Sequence, residues 1–403
     1  MGYITMSTMA VDAVVAVDVA AIRDFAFAYT HSPIDFYFRQ GPRDFVVSEI
    51  PLYDFSGDGV HLILKIRKKN LTTFEVLKIF SNYFGIKEQD IGYAGLKDKN
   101  ALSVQYFSFP AHLVKDKLES FSYDNIKILE ITKHNNKIKL GHLKGNNFFI
   151  RLKKLTPLNA QKISNVLESV AKFGIPNYFS YQRFGNYGDN YLEGKAIVDG
   201  SKKIRNKKIE KFLISAYQSF LFNSWLSLRL EISHIINTTA SNELYRALGF
   251  HLKDSFKEVP QEFKEIDFCK NLKKQTHFFK ILYGDILCHY PYGKNFSLAK
   301  SDDLLKESGR FLSQNISITG LLCGIKADVS DEIAGYFEKN FLDSNIKSVG
   351  QRRYAWVYPS DISFNYKEIE AQGELSFFLP KGAYATNLLR ELAHREIMEP
   401  LES

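Results

Sequence analysis

The chain has 403 residues, 45% of them hydrophobic and 24% charged, with 53 Lys and Arg against 45 Asp and Glu. That length accommodates two domains, each with its own core, and that composition excludes a disordered, collagen-like or disulfide-stapled chain. The formal charge of +8 suits a polyanionic partner without requiring one.

In chain order, Met9 to Ala28 is apolar-rich but broken by Asp12 and Asp18, with no basic stretch before it, so it does not read as a secretory signal. An added helix, an added strand or a leader all fit it. Phe45 to Val47 and Val60 to Ile66 alternate as strands. Thr72 with Glu75 forms a capping box for a helix whose Val76, Leu77, Phe80 and Phe84 share a face, and Gly85 stops it. Val104 to Phe109 is strand-like. Lys127 to Lys154 reads as strand, tight turn over His142 to Asn147, then strand, with Phe148, Ile150 and Leu152 on one face. Asn159 to Phe173 and Ala216 to Glu231 read as helices, and Asn237 to Phe311 as irregular and polar. Tyr354 to Tyr358 and Glu374 to Pro380 are strands again, followed by a turn over Gly382 to Thr386 and a last helix through Arg390. Strands at both ends around a different middle suggest a discontinuous domain carrying an insertion, and irregular mixing of helix and strand favours α+β.

No apolar run reaches the roughly 18–20 residues of a membrane span. Cys269, Cys288 and Cys323 are odd in number and fit no Cys/His ligand pattern, so they read as buried thiols in a reducing cytoplasm. Dinucleotide, phosphate-loop, zinc-protease and nucleophile-elbow motifs are missing, and the 10 histidines are scattered without paired spacing. No heptads argue for assembly, so a monomer is the default.

What remains is Gly92-Tyr93-Ala94-Gly95-Leu96-Lys97-Asp98-Lys99. Its glycines permit a tight bend and close approach to a ligand. Lys97 and Lys99 are expected to hold Asp98 ionised, as nucleophile or base beside a phosphate-bearing substrate. Taken alone, such a triplet is an ordinary solvated turn. Three basic clusters accompany it: Lys65 to Lys69, Lys133 to Lys144, and Lys202 to Lys211. Each reads either as a solvated face or as phosphate contacts. Tyr93, Phe148, Phe149, Tyr178, Phe179, Tyr181, Phe184 and Tyr187 lie beside basic or glycine-bearing turns, as unpaired bases would need for stacking. Phe148 and Phe149 must point to opposite faces of a strand, so at most one faces the core of a half-buried sheet.

Several blocks carry a resemblance when taken together. They are Asp44-Phe45-Val46-Val47 with Glu49; Ala94 to Lys99; Leu143-Lys144-Gly145-Asn146-Asn147-Phe148; and Pro176 to Phe179 with Gln182-Arg183-Phe184-Gly185. Further along come Leu213 to Ala216 with Leu221-Phe222-Asn223, and Leu379 to Thr386 with Leu389-Arg390-Glu391. In this order, from about residue 36 to 392, they resemble the TruD family of tRNA pseudouridine synthases. Residues 1–33 lie outside the resemblance.

The resemblance implies an α+β catalytic domain with a mixed, largely antiparallel sheet, formed by 34–174 and 346–403, and a family-specific α/β insertion over 175–345. It implies isomerisation of uridine 13 in tRNA to pseudouridine, with no cofactor, no metal and no membrane, in the cytoplasm. By position, Asp98 matches the essential aspartate, Phe148 the aromatic that packs on the target base, and Asn146 an Asn that orders the active-site loop. Arg39, Lys97, Lys99, Gln182 and Arg183 complete the expected substrate-binding set. Arg39 stands where some members carry Lys, and Arg43 where an acidic residue is frequent, which leaves the positive partner of Asp98 open. Gly185-Asn186-Tyr187-Gly188 also varies the usual continuation. A non-catalytic RNA-binding or RNA-chaperone protein of the same fold is the alternative, although it would have no need of Asp98. Methyl transfer would need a cofactor-binding glycine motif, and none is present.

Overall fold

Alternating burial starts the first two strands of this computed structural model, which describes residues 25–97, 99–185 and 187–397. The expectation for Met9 to Ala28 therefore lies outside the described residues as far as Asp24. Strand β1, Phe45–Pro51, buries Phe45, Val47 and Glu49; β2, His61–Lys69, buries Leu62, Leu64, Ile66 and Lys68 on one face and Ile63 on the other. Helix α1, Thr73–Phe84, begins at the capping box: the Glu75 N–H donates to the Thr72 hydroxyl at 3.1 Å and the Thr72 N–H to the Glu75 carboxylate at 2.6 Å. It ends at Gly85, which takes the left-handed φ of 72° that a side chain would disfavour.

Then come β3 (Gly92–Tyr93), β4 (Leu102–Pro110), the short α2 (Ala111–Val114), β5 (Ile126–His134), β6 (Leu143–Lys153), α3 (Pro157–Phe173) and β7 (Ile175–Pro176). The middle of the chain supplies α4 (Asn190–Val198), α5 (Lys207–Thr238), α6 (Leu244–Leu252), α7 (Ile266–Lys274), β8 (Ile286–His289), β9 (Asn295–Ser297), α8 (Leu304–Leu312), β10 (Ile316–Leu322), α9 (Glu332–Glu338) and β11 (Gln351–Tyr354). The last stretch gives β12 (Trp356–Val357), β13 (Ser360–Lys367), β14 (Gln372–Pro380) and α10 (Ala385–Ala393).

These elements sort into two units. One comprises Ala28–Ser180 with Trp356–Glu399, the other Tyr181–Ala355 with the stretch ending at Phe27. The discontinuous unit holds a sheet in the order β13-β14-β6-β1-β4-β2-β5, with β3 also on β4. Only β1 and β4 run parallel; every other named pair in it is antiparallel. Helix α1 closes one end of it through Val76, Leu77, Phe80 and Phe84 against Leu62, Leu64, Ile66, Phe107 and Phe109.

The expected turn between β5 and β6 is not a hairpin. β5 pairs with β2, whereas β6 pairs with β1 and β14. Gly145, Asn146 and Asn147 lie inside β6, and a Cβ on Gly145 would sit 2.1 Å from the Leu379 carbonyl oxygen. The glycine therefore marks the close approach of β14 and not a turn. Tyr354 to Tyr358 is likewise two strands in two units: β11 pairs with β10, and β12 with β7.

The contiguous unit has a four-stranded sheet in the order β11-β10-β8-β9, with α5 packed on α4 and β10. Gly320 of β10 lies under Trp225, whose ring would be 2.2 Å from an added Cβ. Arg229 of α5 makes a fully buried two-pronged bond to Asp285 at 2.6 and 2.9 Å. All three cysteines are buried and free. No helix among the described residues is long and apolar enough to cross a membrane.

Helix α10 ties down the start of the discontinuous unit. The Glu391 carboxylate accepts the N–H groups of Ala28 at 3.0 Å and Tyr29 at 3.3 Å. Complete burial raises its pKa to about 7, against the opposing pull of Arg390 and these N–H groups. The unfolded chain releases this proton near pH 4.5 and the folded one near pH 7. Between these values the folded state holds the extra proton, so stability from this group falls as pH rises, by about 1.4 kcal/mol per unit. Urea unfolding from pH 4.5 to 8 should show that decline, and Glu391→Gln should flatten it.

Candidate active site

Strand register places two of the expected site residues, Asn146 and Phe148, on one face of the discontinuous unit's sheet. Opposed residues in neighbouring strands share a face. Phe377, Phe148, Val47, Ser103 and Lys68 thus form one row across β14, β6, β1, β4 and β2. One step along, Leu379, Asn146 and Glu49 form the next. Glu49, Lys68, Ser103 and Gln105 are all buried, so this part of the face is a polar floor.

The segment before residue 98 is bound to that floor. The Gly95 carbonyl accepts the Gln105 side-chain amide at 2.5 Å. The Lys97 N–H donates to the Thr73 hydroxyl at 2.9 Å, and that hydroxyl donates to the Gln105 amide oxygen at 3.1 Å. The Lys97 ammonium meets the Glu49 carboxylate at 2.8 Å with both side chains out of water. Burial raises the Glu49 pKa, while Lys97 and the Tyr106 N–H pull it back down. Lys68, fully buried, donates to the Leu71 carbonyl at 2.6 Å and to the Lys97 carbonyl at 3.4 Å. Beyond the turn, Lys99 pairs with Glu75 of the α1 capping box at 3.1 Å. Hydrogen bonding to Thr72 and then to Lys99 holds the Glu75 carboxyl at about 2.

Asp98 itself lies outside the described residues. Of its two neighbours, the Lys97 ammonium pairs with Glu49 and the Lys99 ammonium with Glu75. Enclosing the Glu49 carboxylate costs several kcal/mol unless it is paired, which places the Lys97 side chain beside it. Motif reading passed over Thr73 and Gln105, and it named Glu49 and Lys68 without giving either a place in the site. Period-2 alternation carried the signal, since Glu49 continues the inward series Phe45, Val47, and Lys68 continues Leu62, Leu64, Ile66.

Phe148 is 8% exposed and stacks between Phe45 and Phe377, with ring centroids 6.1 and 5.3 Å away. Phe149 points to the other face, with the Arg151 guanidinium 5.2 Å from its ring centre. The buried Oδ1 of Asn146 and the hydroxyl of Ser103 have no hydrogen-bond partner among the described residues. Arg39 is exposed and makes no hydrogen bond or ion pair with another described residue. Gln182 and Arg183 belong to the contiguous unit. Gln182 is exposed beside the Tyr181 hydroxyl at 3.3 Å, and Arg183 donates to Ser215 and, at 3.2 Å, to Ser219. In the run from Lys202 to Lys211, Lys202 pairs with Glu193 at 3.0 Å and Lys207 with Glu210 at 2.6 Å.

A family model described as tRNA pseudouridine synthase D (TruD) matches residues 24–205 and 263–392, which include every expected catalytic and substrate-binding residue. A Wolinella succinogenes protein named tRNA pseudouridine synthase D is 52% identical, over 91% of this chain and 97% of its own. Proteins of the same name from a Nitratiruptor strain and from Helicobacter pylori are 50% and 47% identical, over 93% and 92% of this chain and 99% and 96% of theirs. A solved Methanosarcina mazei structure carrying the TruD name superposes with a TM-score of 0.59 at 21% identity, covering 93% of this chain and 97% of that one. That likeness speaks to the fold alone.

The enclosed pair invites a double-mutant cycle. Lys97→Met leaves Glu49 buried and alone, and should cost about 3–5 kcal/mol in urea unfolding. The double variant Glu49→Leu, Lys97→Met should recover most of that loss while leaving the Asp98 segment less well fixed.

Proposed function

The chain belongs to the TruD family of tRNA pseudouridine synthases, and from that premise we propose that it isomerises uridine 13 of tRNA without a cofactor, using Asp98 as the catalytic carboxylate. The observation that carries this reading is the fixing of the Asp98 segment, through Gly95, Lys97 and Lys68, on a buried polar floor. A carboxylate on a rigid support reacts from one orientation, which is where much of an enzyme's advantage over solution arises.

The reaction breaks the N1–C1′ bond and joins C5 to C1′; the C5 proton leaves and N1 is left protonated, so no redox partner is needed. A carboxylate serves any of three first steps: attack on C1′, attack on C6 of the base, or removal of the C2′ proton. A base within folded tRNA must first be flipped out, at a few kcal/mol, and then retained by stacking and edge hydrogen bonds. Phe148 is the proposed stacking surface. Asn146 and Ser103, each with a buried polar atom lacking a partner among the described residues, are suited to accept or donate to the substrate. The discontinuous unit carries the chemistry in this reading. The contiguous unit, with Gln182 and Arg183 near its start, adds contacts to tRNA. Three buried free thiols accord with a reducing cytoplasm.

Unmodified tRNA tritiated at uridine C5 tests the reading. The protein should release tritium and place pseudouridine at position 13 by chemical mapping. Asp98→Asn should abolish release while tRNA binding persists, and substantial residual turnover in that variant would reject the assigned role. Phe148→Leu keeps a buried apolar side chain, so it should cost under about 1.5 kcal/mol of stability. It should nonetheless lower turnover at least tenfold, and equal losses of both would mark Phe148 as a core residue only.

A further inference from the structure

We infer that Lys68, and not Arg39, Lys97 or Lys99, is the cation that keeps the Asp98 carboxylate ionised. This rests on the reading of Asp98 as the catalytic group.

Lys68 occupies an inward position of β2 where alternation calls for an apolar residue, and it is 0% exposed. An ammonium held out of water must be surrounded by acceptors, and its field is screened far less than that of a surface lysine. One of its contacts, at 3.4 Å, is the Lys97 carbonyl, which belongs to the very peptide that joins Lys97 to Asp98. The same peptide segment is gripped from its other side, where the Lys97 N–H donates to Thr73. Lys68 therefore holds the backbone at the peptide that leads into residue 98.

The other cations are committed elsewhere. Lys97 is neutralised by Glu49 inside the protein, and Lys99 by Glu75 at the surface. Arg39 is exposed and makes no polar contact with another described residue. Among the described residues, the charged groups facing this segment are Glu49 from β1, Lys68 from β2, Glu75 from α1, and Lys97 and Lys99 of the segment itself. From β4, β6 and β14 come Ser103, Gln105, Asn146, Phe148, Phe377 and Leu379, all uncharged. A positive charge within ~4–6 Å lowers a carboxylate pKa by about 1–3 units.

The test is the pH dependence of single-turnover tritium release at saturating tRNA. Lys68→Met should move the acid limb upward by about one pH unit or more. Lys68→Arg, which keeps a permanent cation, should hold the limb within ~0.5 unit even if the rate falls. Arg39→Met should leave the position of the limb where it is in the wild type. An unmoved limb in Lys68→Met overturns the inference, as does a limb that Lys68→Arg moves as far as Met. So does a shift of a unit or more in Arg39→Met, which decides the matter even if Lys68→Met does not fold. Wild-type protein that binds tRNA but releases no tritium would instead defeat the enzymatic reading on which the inference stands.

Discussion

A carboxylate and an ammonium enclosed together, Glu49 and Lys97, are the constraint around which the site is organised. Placing two charges out of water is expensive, and an apolar pair of the same volume would usually stabilise the fold as well or better. What the ion pair adds is direction. Glu49 is fixed by β1 and receives the Tyr106 N–H of the neighbouring strand, so the Lys97 side chain is held at one point of the sheet. Thr73, at the first turn of α1, then defines the backbone of the same residue. A strand, a helix start and a side-chain ion pair thereby fix the stretch of chain that leads into Asp98.

Regular elements were legible because their chemistry is local. The capping box at Thr72 and the stop at Gly85 appear as read, and so does the inward face of Phe148, Ile150 and Leu152. The misreading at Gly145 has a specific cause. Glycine followed by two asparagines is good turn chemistry, but the glycine is there to admit a strand from far along the chain, and nothing local announces that. β10 escaped notice for the opposite reason: it is buried along both faces, so it lacks the alternation that identifies a half-exposed strand. In the site, Asp98, Asn146 and Phe148 were visible as parts of motifs. Lys68 was not, because one lysine in Lys65-Ile66-Arg67-Lys68-Lys69 looks like its neighbours until strand parity shows that it alone points inward with Ile66.

In the proposed reading, Phe148 serves the fold and the chemistry at once. Its ring is one of a stacked series with Phe45 and Phe377 on three adjacent strands, so its orientation is set before any substrate arrives. A stacking surface built on a strand and braced on both sides loses little entropy when a base settles against it. The neighbouring polar floor supplies what the ring cannot, namely buried donors and acceptors with unused capacity at Ser103 and Asn146.

The strand order has a bearing on biosynthesis. β14 lies between β13 and β6, and β6 meets it along its length from Lys153 opposite Gln372 to Gly145 opposite Pro380. On the ribosome, β6 emerges long before this neighbour does, and the whole contiguous unit, Tyr181–Ala355, is translated in the interval. Until the final stretch arrives, one edge of β6 offers unsatisfied backbone groups beside Phe148 and Ile150, the kind of template that recruits stray strands. Nascent chains stalled or truncated before Gln372 are thus the species most prone to aggregate, and this sheet is among the last parts of the molecule to close.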